Sequence, residues 1–168
     1  MKKRKETMKK LFTIALSLIC AGAYAAPSPL LERALQCKLE NKDLASLMRD
    51  LGAADSAMKK PVAQMGAPTV DVYQLAAPVT AFGYTSSTVA VMPGRIVLAV
   101  DGTTVSAASA KLKLKEDEYS PSSRAVRPTV SVVAFKLSSK PLDGKVLVGC
   151  EYASPATAAW FAADGFKF

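Results

Sequence analysis

Thr88-Val89-Ala90-Val91-Met92-Pro93-Gly94-Arg95-Ile96-Val97-Leu98-Ala99-Val100 sets a Pro-Gly pair between two apolar, β-branched runs. Pro at i+1 and Gly at i+2 favour a type II turn, so the stretch predicts a hairpin of antiparallel strands. Ile96 to Val100 is apolar without alternation. A strand covered on one face alternates, whereas one covered on both does not. The second strand is therefore expected at the centre of a sheet, ending at Asp101-Gly102.

Working outward, Val70 to Leu75 reads as a strand that Pro78 breaks, with Val79 to Tyr84 continuing beyond it. Residues 52–69 are rich in Ala, Met, Pro and Gly without a firm period, which predicts a long loop, with a short helix over Ala54–Lys59 as a minor option. After the hairpin, Val105, Ala108 and Leu112 fit a short helix that Thr103 or Thr104 caps. Lys111 to Lys115 also alternates like an edge strand guarded by lysines, so residues 104–115 stay open between the two. Glu116 to Pro128 reads as a polar loop, Thr129 to Leu137 as a strand and Val146 to Tyr152 as another, with the hairpin signal Asp143-Gly144 between them. The sum is an α+β fold. A single domain over residues 26–168 is expected: a mostly antiparallel sheet of about six strands, two or three helices packed on it, and one disulfide.

The N terminus predicts an address. Lys2, Lys3, Arg4, Lys5, Lys9 and Lys10 form a basic region, Leu11 to Ala21 a short apolar one, and Ala23-Tyr24-Ala25 a cleavage site. Residues 1–25 read as a signal peptide directing a bacterial protein to the periplasm or outside the cell. The apolar run is short for a membrane span of about 20 residues, so no stable span is expected after cleavage. A lipid anchor at Cys20 is disfavoured by Ile19 and Ser17 before it. The leader also holds six of the 22 basic residues and one of the 14 acidic ones. The remaining 16 basic and 13 acidic residues give +3 rather than the formal +8 of the whole chain, and no nucleic-acid partner is expected.

Two cysteines remain, Cys37 and Cys150. In an oxidising compartment an even count reads as a disulfide, closing a loop whose chain entropy is worth about 4–5 kcal/mol. The surroundings of the two look alike. Leu35 to Leu39 alternates like a strand, Asn41 suits an N-cap, and Leu44, Leu47, Met48 and Leu51 form one helical stripe before Gly52. Val146 to Tyr152, Ser154-Pro155, Trp160-Phe161 and Gly165 follow a similar order. This β-α echo, 35–52 against 148–165, is expected to bring two strands together through the bridge.

The chain contains no histidine. That excludes Ser-His-Asp and Cys-His nucleophiles and histidine-ligated zinc or copper. No glycine-rich phosphate loop or calcium loop occurs, so neither a cofactor nor a metal site is expected. Glu116-Asp117-Glu118 is the one acidic cluster and reads as a solvated turn. Asp101 reads as a turn residue, Glu151 as pointing to the face opposite Cys150, and Ser138-Ser139-Lys140 as a dyad without context. Tyr73, Phe82 and Tyr84 read as sheet residues. The weak partner-binding candidates are the basic positions Lys59, Lys60, Arg124 and Arg127. The leading expectation is a non-enzymatic exported envelope protein that binds another macromolecule in an accessory, inhibitor or immunity-type role. One alternative is a small-ligand or lipid binder with a pocket between helices and sheet, lined by Met48, Met58 and Met65. A remote one is a carboxylate-based hydrolase, which requires an acidic pair facing a cleft.

Overall fold

The computed structural model describes residues 28–52, 60–66 and 69–153. Its elements are helices Pro29–Leu35 (α1) and Asn41–Gly52 (α2), then strands Ala63–Met65 (β1), Val70–Ala81 (β2), Tyr84–Met92 (β3) and Arg95–Val100 (β4). Helix Val105–Leu112 (α3) follows, and strands Ser122–Arg127 (β5), Val130–Phe135 (β6) and Val146–Tyr152 (β7) complete the order. The α+β architecture stands, with seven strands among the described residues in one antiparallel sheet ordered β1-β2-β3-β4-β7-β6-β5. β4 is central. Ile96, Leu98 and Val100 join a core on one face, while Val97 and Ala99 join a second core on the other. That double burial is why the strand does not alternate.

The first face is covered by the helices. α1 packs on β2, β4 and β7, and α3 on β5 and β6. Leu31, Leu35, Leu39, Leu44 and Leu47 fill the space beneath, each at most 1% exposed. Thr104 caps α3 by accepting the Ala107 N–H at 3.1 Å, which settles residues 105–112 as helix. On the second face Leu142, from the segment 136–145 between β6 and β7, is buried with Val72, Val97, Val133 and Leu147. β4 and β7 pair closely enough that a Cβ on Gly149 would overlap the Ile96 carbonyl oxygen and lie 2.6 Å from the Val97 Cα. Only glycine fits there.

Several expectations are corrected. Residues 35–39 are not a strand. α1 ends there in a Schellman turn: the Cys37 N–H donates to Ala34 O and the Lys38 N–H to Arg33 O, with Cys37 at φ 58°. A left-handed cysteine is invisible to hydrophobic patterning, and a seven-residue helix is too short to show its period. The first half of the proposed β-α echo is therefore helix-turn-helix, and the helix of its second half falls outside the described residues. The disulfide itself stands, with Cα atoms 5.3 Å apart, joining a helix end to β7 rather than two strands. Around it the Tyr152 hydroxyl donates to Ala34 O at 2.7 Å, and burial pushes that phenol well above its ordinary range.

The loop over 52–69 contains β1, which pairs with only Val70 to Val72. Pro78 does not break β2. A register shift between Gln74 and Val79 absorbs it, and Pro78 lies beyond the part of β2 that β1 pairs, where a missing N–H costs no ladder bond. The strand instead turns at Phe82-Gly83, both at positive φ (54° and 71°) between the paired Ala81 and Tyr84, as a two-residue type I′ hairpin requires. Phenylalanine is a poor herald of such a turn, which is why it escaped the reading of 79–84. The polar stretch 116–128 contains β5, an edge strand whose solvent exposure gives it a loop's composition.

Candidate functional site

Two of the basic candidates make backbone contacts. Arg124 Nε donates to Leu112 O at 3.0 Å, satisfying a carbonyl at the end of α3. Arg127 donates to Leu39 O, fastening the link between α1 and α2. Lys60 is exposed, and Lys59 lies outside the described residues. Asp101 is paired with Lys145 Nζ at 2.5 Å. Tyr73 is buried, and Tyr84 and Phe82 pack against the first core. Lys111 Nζ sits 3.9 Å from the Tyr84 ring centroid and donates to Gly83 O, tying α3 to the β2–β3 turn.

The β5 edge of the sheet is blunted. Lys115 exchanges both backbone hydrogen bonds with Ser123, and a register shift lies between Ala125 and Arg127. At the other edge β1 is three residues long, and beyond it the outer side of β2 carries Pro78. Short strands, irregular pairing and proline are the features that keep edges from accepting another chain.

An open cleft of about 830 Å³ remains. Five parts of the fold converge on it: Met65-Gly66 with Val70, the β3–β4 turn, Val105 at the start of α3, the end of β6 and the loop entering β5. Met65, Val70, Met92, Phe135 and Leu137 supply its apolar lining. Methionine adapts its shape to what it contacts. Arg95 lies among them. Its Nε donates to Glu151 Oε2 at 2.5 Å, and its guanidinium carbon stands 5.3 Å from the centroid of the Phe135 ring. The pair is about one-third exposed on each side. Only Nε is engaged among the described residues, so the terminal N–H groups are open to a ligand acceptor. Lys136 lines the same cleft.

From the loop come Asp117, Glu118 and Tyr119. Asp117 Oδ1 accepts the Tyr119 N–H at 2.9 Å, and Tyr119 is 90% exposed. Asp117 and Glu118 thus both border a cleft, as consecutive, exposed residues of one loop. Ser138 is exposed with Lys140, and Ser139 borders the cleft. Among the described residues no three Asp, Glu or Cys side chains gather as a metal site would need, and no helix is long and apolar enough to cross a membrane.

Of the expected lining, Met65 is in the cleft; the side chain of Met48 and all of Met58 fall outside what is described. Val105 at the start of α3 and Ala134 of the first core line the cleft as well, while leucines fill the helix–sheet interior. Arg95, Phe135, Lys136 and Tyr119 were not singled out, since they are far apart in sequence. Arg95 did leave one signal: it is the lone charge in an otherwise apolar strand. No protein-family model, curated protein or solved structure matches this chain.

Proposed function

We propose that this chain is an exported, non-catalytic bacterial envelope protein that binds another protein, and that the cleft receives a segment of that partner. One observation carries the reading: Met65, Met92, Phe135 and Leu137, from separate elements, converge at an open cleft around a guanidinium with uncommitted N–H groups. Apolar side chains with an arginine and a rim tyrosine are the residue types that dominate protein interfaces. The blunted sheet edges argue against recruitment by strand addition. The leader-like N terminus supports the address, and the His-free sequence supports a binding role over nucleophilic catalysis.

The test places a photo-crosslinking residue at Tyr119 and, as a control on the helical side, at Glu32. A single partner captured in cells from Tyr119 alone supports the reading. The same products from both positions, or none from Tyr119, refute it. Mass spectrometry of the native protein is expected to find Ala26 as its first residue, and retention of residues 1–25 removes the export part. The cleft volume also falls within the range of small-molecule sites. That favours, as a second reading, a small amphipathic ligand retained in native mass spectra.

A further inference from the structure

The charges that border the cleft are sorted by element. Arg95 and Lys136 belong to the sheet side, at the start of β4 and just past the end of β6. Asp117 and Glu118 belong to the loop that leads into β5. Met92, Phe135 and Leu137 line the same cleft. Neither set cancels the other: no ion pair joins Arg95 or Lys136 to Asp117 or Glu118 among the described residues. Arg95 is hydrogen-bonded to Glu151 through Nε, and that carboxylate offsets its charge. Its planar head still offers the terminal N–H groups, which suit a carboxylate.

We infer, resting on the reading of the cleft as a partner-binding site, that its occupant is an extended peptide segment of mixed charge: large apolar side chains with an acidic residue toward Arg95 and Lys136 and a basic residue toward Asp117 and Glu118. A uniformly acidic segment meets the loop carboxylates with like charge, and a uniformly basic one meets the sheet-side cations. Such charge sorting sets which partner is accepted and in which direction it lies.

The experiment uses acetyl-Glu-Leu-Phe-Leu-Lys-amide as probe against three counterparts, with both end residues replaced by Gln, by Glu or by Lys. Binding to the oxidised protein is followed by NMR, reading the Met65 and Met92 methyl groups and the Phe135 ring. Each exposed charge pair contributes a factor of about three, so the mixed peptide is expected to bind about tenfold more tightly than the Gln peptide. Raising the salt to about 0.5 M should shrink that ratio. Lys136→Glu and Glu118→Lys alter exposed side chains and leave the fold intact, which near-native amide spectra verify. Lys136→Glu should erase the preference for the peptide's Glu and Glu118→Lys the preference for its Lys. Equal affinity for all four peptides, or a preference for a single-sign peptide, overturns the inference while leaving the cleft reading in place. Absence of any shift at the three reporters overturns both.

Discussion

Removing the covalent link between the end of α1 and β7 separates two contributions, chain entropy and backbone conformation. Cys37 and Cys150 are 113 positions apart. In the loop-closure relation a ring of that size restricts the unfolded chain by about 5 kcal/mol, a third or more of the stability of an ordinary domain. Cys37 also holds φ 58° as the residue after the α1 C-cap, a conformation that costs a side-chain-bearing residue about 1 kcal/mol and glycine almost nothing. The variants to compare are Cys37→Ala with Cys150→Ala, and Cys37→Gly with Cys150→Ala. Urea unfolding followed by circular dichroism should place the Ala pair about 5 kcal/mol below the oxidised protein. The Gly pair should recover about 1 kcal/mol of that loss. An Ala pair that loses less than about 2 kcal/mol defeats the entropic account. A Gly pair no more stable than the Ala pair defeats the description of residues 33–38 as a left-handed helix end.

Gly149→Ala should destabilise by about 3 kcal/mol or more, because a methyl there meets the β4 backbone and neither chain can yield without parting the ladder; a loss under about 1 kcal/mol in the same urea assay contradicts the β4–β7 register. Burial holds the Asp71 carboxyl above its ordinary value, partly offset by the hydrogen bond from Gln64. Its raised native pKa means the native state keeps the proton longer than the unfolded chain. The Asp71 contribution to stability is therefore full below the unfolded pKa and is lost as pH rises through the native one. Asp71→Asn, which still accepts from Gln64, should remove that decline and be the more stable form at neutral pH; stability curves that run parallel between about pH 3 and 6 refute the assignment.

Much of the fold was readable along the chain because its signals are local. A Pro-Gly pair between apolar runs made the β3–β4 hairpin, unbroken hydrophobicity put β4 in the middle, and a Thr before Val105 began α3. Two cysteines left after the expected leader sufficed to propose their pairing. The misread segments share a cause: their conformation is imposed by neighbours distant in sequence or by unusual dihedrals. Leu35 to Leu39 alternates in polarity, yet Cys37 is turned to left-handed φ beside β7. Pro78 stays within a strand because β1 stops short of it. Ser122 to Arg127 has the polarity of a loop and becomes a strand because β6 offers it a ladder.

What the residues by themselves determined was the α+β class, the central strand, the disulfide partners and the chemistry denied by the lack of histidine, since each depends on composition or on spacing within a few positions. Only the tertiary structure decided that Arg95, Phe135, Lys136 and the 117–119 loop share one opening, and that Arg124 and Arg127 each donate to a backbone carbonyl. The reason is that β7 inserts between β4 and β6. That long-range pairing sets Glu151 beside Arg95 and brings β6 close enough for the guanidinium to reach the Phe135 ring, and no local pattern encodes it.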